Sequence, residues 1–205
     1  MKPPVVIALD PPLNVDPYAW CRWIIDETID AVSGYKLGLP LLLRVGMGVR
    51  DVVELMKDVE LVIADLKLAD IGDIMVLTIR LLRDLGFDTF IIHAFTGWVD
   101  AVDKVAEYAR AMNLRLVTLV SMSHKGSFEI IDKNIDSLID VSLKASAWGC
   151  VIGACKKDLI KYVKEKARVK GFDLKVLSPG VGVQGCEPSS AIREGADYEI
   201  IGRYI

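Results

Sequence analysis

Short apolar runs alternate with amphipathic stretches along the whole chain. This alternation restricts the possible folds more than any other feature. Eight runs read as strands, at 5–9, 34–37, 61–66, 90–93, 115–120, 149–153, 175–178 and 198–201. The apolar content is broken into short runs, as expected for strands covered on both faces. Between them the apolar residues recur at helical spacing, over 16–32, 40–57, 72–85, 98–112, 133–147, 156–170 and 187–194. Pro17 and Pro188 stand where helices should begin, and Gly86 and Gly171 where they should end. Eight strand–helix units without a linker predict a (β/α)₈ TIM barrel, one α/β domain over residues 1–205. A doubly wound open sheet is the runner-up, but the first strand lacks a GxGxxG turn. The sequence ends at Ile205, about where the eighth helix should start. The final helix is therefore expected to be missing, its place taken by a further tail or a neighbouring subunit.

Composition removes several function classes. Net charge is −3 with no basic stripe, which argues against nucleic acid as a partner. No run approaches the roughly 20 apolar residues that span a bilayer, so no membrane partner is expected. The N-terminus enters a strand almost at once, leaving no room for a signal peptide. Cys21, Cys150, Cys155 and Cys186 form no CxxC pair, and His93 and His124 are the only histidines. No metal site is expected, and the cysteines read as reduced packing residues of a cytoplasmic protein. The four tryptophans, Trp20, Trp23, Trp98 and Trp148, also read as packing. Gln184 is the only glutamine, and asparagine is confined to Asn14, Asn113 and Asn134, a composition that hints at a thermophile.

A barrel keeps its chemistry at the C-terminal ends of its strands. Those ends carry Asp10 after the first, Lys36 on the second, and Asp65, Lys67 and Asp70 at the third. Residues two apart on a strand face the same side, so Asp65 and Lys67 point together. Buried charges are costly without partners. Several ionisable groups of alternating sign at one mouth stabilise each other, and a lysine among carboxylates keeps its charge. Such a lysine is suited to proton delivery rather than to a Schiff base. His93 reads as a hydrogen-bonded strand-end residue. Ser123 has no Asp–His relay in evident position and reads as a hydroxyl that bonds a ligand. The Gly-rich turn 178–185 after the seventh strand, with Gly202 and Arg203 after the eighth, matches the usual phosphate site of barrels. Arg203 is suited to bidentate phosphate contact, and Gln184 adds a neutral donor.

Taken together, Asp65-x-Lys67-x-x-Asp70-Ile71, Met122-Ser123-His124, Ser178-Pro179-Gly180-Val181-Gly182-x-Gln184-Gly185 and Gly202-Arg203 resemble the orotidine 5′-phosphate decarboxylase family, in its compact archaeal form. The resemblance implies decarboxylation of orotidine 5′-monophosphate to uridine 5′-monophosphate in pyrimidine synthesis, without metal or cofactor. Asp65 would crowd the substrate carboxylate, and Lys67 would stabilise and protonate the C6 carbanion. Lys36 would complete the charge network and, with Asp10, bind the ribose. Asp70, with Ile71 beside it, would reach the neighbouring subunit's site, which implies a homodimer with shared active sites. Ser123 would contact the pyrimidine. Pro179, Val181, Gln184, Gly202 and Arg203 would hold the phosphate side, with a loop closing over it.

Three positions depart from the family pattern. Gly72 and Ile74 stand where proline and threonine are usual, and Cys186 replaces a glycine. Gly72 also brings in the main alternative, the Mg²⁺-dependent decarboxylases and aldolases of keto-sugar phosphates, which share an Asp-x-Lys-x-x-Asp-x-Gly strand. A barrel that binds a nucleotide phosphate without turnover is a second alternative. It gives no reason to hold Lys67 between two carboxylates.

Overall fold

Each of the eight apolar runs forms a strand in a computed structural model, which describes residues 2–182 and 185–203. The strands are β1 (Val5–Leu9), β2 (Gly34–Gly38), β3 (Leu61–Leu68), β4 (Thr89–His93), β5 (Arg115–Leu119), β6 (Gly149–Val151), β7 (Lys175–Pro179) and β8 (Tyr198–Ile201). All neighbours pair in parallel, and β8 pairs back onto β1 to close a barrel in sequence order. The open-sheet alternative is thereby excluded. Two glycines permit the closest strand approaches. A Cβ on Gly34 would lie 2.3 Å from the Leu61 carbonyl oxygen, and one on Gly149 would lie 3.0 Å from that of Lys175.

The strand period sorts side chains into two cores. Val6, Ala8, Leu61, Ile63, Ile91, Val117, Leu119, Val151, Leu177 and Ile200 fill the barrel interior. Their alternates, such as Ile7, Leu9, Tyr35, Leu37, Val62 and Ile92, face outward into the larger layer under the helices.

Helix α1 (Pro17–Thr28) starts as predicted, with Pro17 at its first turn and the Asp16 carboxylate accepting from the Ala19 N–H. The stretch 40–57 is not one helix. It divides into α2 (Leu39–Val45) and α3 (Val49–Glu54), because Gly46 turns to φ +54° between them. Helix α4 (Gly72–Asp84) ends at Gly86, whose φ of +106° only glycine adopts readily. The stretch 98–112 begins irregularly, with Asp100 at φ +57°, before α5 (Asp103–Ala111). Helices α6 (Ile135–Lys144) and α7 (Lys157–Val169) follow. The last predicted helix shrinks to α8 (Ser190–Arg193), which Pro188 does not enter. Its entry is fastened by the buried Glu199 carboxylate, which accepts from the Ser189 and Ala191 N–H groups at 2.8 and 2.9 Å. Trp23 departs from its expected packing role and is largely exposed.

Gly72 has a packing reason. A Cβ there would lie 2.8 Å from the Ala101 carbonyl oxygen and 2.8 Å from Lys104 Cβ. The start of α4 therefore rests directly on the turn leading into α5. Among the described residues no helix is long and apolar enough to cross a membrane.

Candidate active site

The alternation that fills the barrel also delivers the charged rim. Inward series such as Val6-Ala8, Leu61-Ile63 and Leu177 continue, two residues on, to Asp10, Asp65 and Pro179. Lys36 of β2 stands in register with Ala8 and Ile63, two interior residues. Lys36 and Asp65 are both buried.

β3 runs two residues beyond its predicted end, and its pairing with β4 slips between Ala64 and Leu68. Lys67 sits in this irregularity with φ +47°, a left-handed conformation uncommon for a residue with a side chain. Its Nζ donates to Asp65 Oδ1 and Oδ2 at 2.9 and 3.0 Å. Lys36 Nζ lies 3.2 Å from Asp65 Oδ2 on the other side. Burial works to raise the Asp65 pKa, but Lys36 and then Lys67 outweigh it and hold the carboxyl below its ordinary value. Asp65 is thus a buried anion with both oxygens engaged by ammonium groups, and a metal ion would have to compete with two cations for it.

This charged cluster opens into a cavity of about 260 Å³. Asp10, Lys36, Asp65, Lys67, Ser123, Pro179, Val181, Gly202 and Arg203 all line it. β3 and β7 lie on opposite sides of an eight-stranded ring, so the charged cluster faces the Gly-rich turn across the mouth. Gly38 and Gly202 leave space beside Asp10. A Cβ on either would come within 3.6 or 3.7 Å of its carboxylate oxygens. The floor is apolar, built from Ile91, Leu119, Val151 and Ile200. These floor residues were not singled out from the sequence. The signal was available, since each is an inward-facing residue near a strand's C-terminal end.

Not every expected residue joins this cavity. Asp70 and Ile71 lie outside it, exposed just beyond β3, where Asp70 Oδ1 accepts from the Ile71 N–H at 2.7 Å. Gln184 lies outside the described residues. His93 departs from expectation: its buried Nδ1 has no hydrogen-bond partner, and its ring packs 4.4 Å from that of Phe95. Burial and then the Lys67 charge lower its pKa, with Asp65 opposing, so the neutral ring is favoured.

The cysteines correct a second expectation. Cys155 and Cys186 form a disulfide, with Cα atoms 5.4 Å apart. It joins the loop after β6 to the Gly-rich loop after β7. The base of that loop is also closed by a bridge between Val181 and Cys186, where the Gly182 N–H donates to the Cys186 carbonyl at 2.8 Å. Linear spacing could not reveal a pair that the parallel pairing of β6 with β7 brings together. Cys21 and Cys150 do pack as buried thiols, and burial pushes both up to about 12.

A closed parallel barrel that gathers a lysine–carboxylate–lysine cluster at the C-terminal ends of its strands has the architecture of an α/β-barrel enzyme. The chain belongs to the orotidine 5′-phosphate decarboxylase / HUMPS family, whose model matches residues 3–205. Its relatives include the orotidine 5′-phosphate decarboxylase of Aeropyrum pernix, 37% identical over 98% of this chain and 81% of that protein. The enzyme of the same name from Sulfurisphaera tokodaii is 41% identical over 90% of this chain and 84% of its own length. Among solved structures, orotidine 5′-monophosphate decarboxylase from Sulfolobus solfataricus superposes with a TM-score of 0.83 at 34% identity, covering 98% of this chain and 89% of that one. The Methanocaldococcus jannaschii enzyme complexed with the inhibitor BMP gives a TM-score of 0.85 at 28% identity, covering 99% and 90%.

Proposed function

We propose that this protein decarboxylates orotidine 5′-monophosphate to uridine 5′-monophosphate, with Lys67 as the proton donor. The observation that carries this reading is Asp65 held between Lys36 and Lys67 at the mouth of a cavity whose far side is a phosphate-type turn. Loss of CO₂ from C6 leaves an electron pair in the plane of the pyrimidine ring, where the ring cannot delocalise it. The site must therefore stabilise charge that develops only in the transition state. The Lys67 ammonium is already fixed by Asp65 and needs no reorganisation when that charge appears. Asp65 faces the departing carboxylate as a like charge and favours its loss as neutral CO₂. Lys67 Nζ–H then transfers its proton to C6, and its partial exposure lets solvent restore it. Asp10 and Lys36 hold the ribose, Ser123 the pyrimidine, and Arg203 with the backbone of Gly180, Val181 and Gly202 the phosphate. Pro179 shapes the start of that loop, and Gln184 completes it. Binding energy from the remote phosphate then serves to exclude water around C6.

The same reading makes the active unit a cytoplasmic homodimer. Its support is on the surface: Asp70 and Ile71 project outside their own cavity, next to the exposed Ile74, Leu77 and Leu81 along α4. An apolar stripe at helical spacing beside an unused carboxylate fits a second copy that receives Asp70 in its own site.

The deciding experiment follows the ultraviolet absorbance of orotidine 5′-monophosphate with purified protein in EDTA, beside Lys67→Ala. Turnover by the wild type and a loss of roughly 10³-fold or more in the folded variant is expected. Turnover that requires added Mg²⁺, or a variant that keeps substantial activity, would overturn the reading.

A further inference from the structure

Behind Ser123 lies a buried polar cluster that no part of the proposed mechanism uses. Ser121 and Ser127 are fully buried, and the side chains of Asp132 and Lys156 are 9% and 8% exposed. Asp132 Oδ1 accepts from both serine hydroxyls at 2.7 Å. Its Oδ2 pairs with Lys156 Nζ, which also donates to Ser121 Oγ at 2.9 Å. Ser127 Oγ in turn accepts from the Met122 N–H at 3.0 Å. Each hydroxyl gives its one hydrogen to Asp132 and keeps its lone pairs for Lys156 or Met122. The bonds therefore run in one consistent direction, and every member is satisfied. Burial works against the Asp132 charge, yet Lys156, Ser127 and Ser121 hold its carboxyl below the ordinary range.

The cluster grips the chain at the Ser121 side chain and at the Met122 N–H, one residue before Ser123. The opposite side is closed by the loop that follows β6. A Cβ on Gly153 would lie 2.8 Å from Ser123 Cα and 3.2 Å from its nitrogen. The segment 121–123 is thus clamped between a glycine and a buried ion pair. Asp132 and Lys156 themselves do not line the cavity that holds Lys67. A buried pair of this kind contributes little net stability compared with an apolar replacement.

We propose that Asp132 and Lys156 are positioning residues for Ser123, fixing the 121–123 backbone so that the Ser123 hydroxyl meets the pyrimidine edge. This rests on the reading of Ser123 as the base contact. Asp132→Asn keeps the shape but turns an amide donor toward the Lys156 ammonium. Lys156→Met removes the cation and keeps most of the volume, whereas Lys156→Arg keeps the charge.

The test measures equilibrium binding of uridine 5′-monophosphate and of ribose 5-phosphate, which lacks the base, with thermal unfolding as a check on folding. Asp132→Asn and Lys156→Met are expected to weaken the nucleotide about tenfold, the size of one well-made hydrogen bond to a buried partner. Ribose 5-phosphate binding should stay unchanged, and Lys156→Arg should recover most of the nucleotide affinity. In a Ser123→Ala background, Asp132→Asn should cost nothing more. Lys156→Met carries the same test if Asp132→Asn does not fold. Equal weakening of both ligands, or additive losses with Ser123→Ala, would mean a general distortion and overturn the proposal. Ser123→Ala that weakens the nucleotide while both folded cluster variants bind normally would overturn it alone. Ser123→Ala that binds the nucleotide normally would remove the base contact and the proposal with it.

Discussion

Asp65 shows how a single residue is both legible and hidden. Its place after Leu61-Val62-Ile63-Ala64 made it a buried carboxylate, and period-two alternation put Lys67 on its side. The second lysine, Lys36, comes from a different strand, and the register of β2 against β3 puts it 3.2 Å away. Nor did the sequence reveal that Lys67 reaches Asp65 from a left-handed residue inside an irregular strand pairing. A consequence for stability follows with a definite sign. The folded-state pKa of Asp65 lies below its ordinary value of 3.8, so the unfolded chain takes up this proton first as pH falls. The stabilisation from its ionised form is present above that value and is lost as pH drops through the folded pKa. Asp65→Asn imitates the protonated side chain at every pH. Urea unfolding of the two proteins should show the wild type more stable at pH 6, with the difference shrinking below about pH 4. A difference that stays constant down to pH 2.5 would contradict the coupling.

At the level of elements, the strands were legible to within two residues at either end because each centres on a short apolar run bounded by turn chemistry. Helix bounds were less so. Gly46 splits a stretch whose apolar spacing is continuous, and the short α8 depends on Glu199, a β8 carboxylate that sequence alone does not connect to it. The disulfide was misread for a related reason. Cys155 and Cys186 are 31 residues apart, and absence of a CxxC pair says nothing about loops that meet at one rim. Scarcity of disulfides in the cytosol is a rule for mesophiles, and intracellular proteins of hyperthermophiles depart from it. The low Asn and Gln content agrees with that exception. Closing a loop of this length should stabilise the fold by on the order of 3 kcal/mol through the unfolded chain. Cys186→Ser should therefore lower Tm by several degrees, and a thiol reductant should bring the wild type down to the same Tm. If the variant and the reduced wild type both unfold at the temperature of the oxidised protein, the bond makes no such contribution.

On the scale of the whole molecule, the barrel accounts for a complete set of charges except one. Asp10, Lys36, Asp65 and Lys67 converge on the cavity, but Asp70, only three residues past Lys67, stays on the outer surface. Gly72 helps to keep it there, since its contact with the Ala101 carbonyl fixes where α4 begins. Asp70 stands two residues ahead of that packed helix start, exposed, with its Oδ1 accepting from the Ile71 N–H. It is well placed to meet another copy across the exposed Ile71, Ile74, Leu77 and Leu81 surface. This geometry turns the shared-site proposal into a complementation experiment. Homodimers of Lys67→Ala lack the proton donor in every site, and homodimers of Asp70→Ala lack the reaching carboxylate in every site. A mixed dimer places both lesions in one site and leaves the other intact. Equal mixing after subunit exchange should make half of the dimers mixed, each with one working site. Activity should then rise to about a quarter of the wild-type value per subunit, from near zero in either variant alone. If exchange is verified by mass and activity does not rise, Asp70 serves its own subunit or none, and the barrel's site must be complete without a partner.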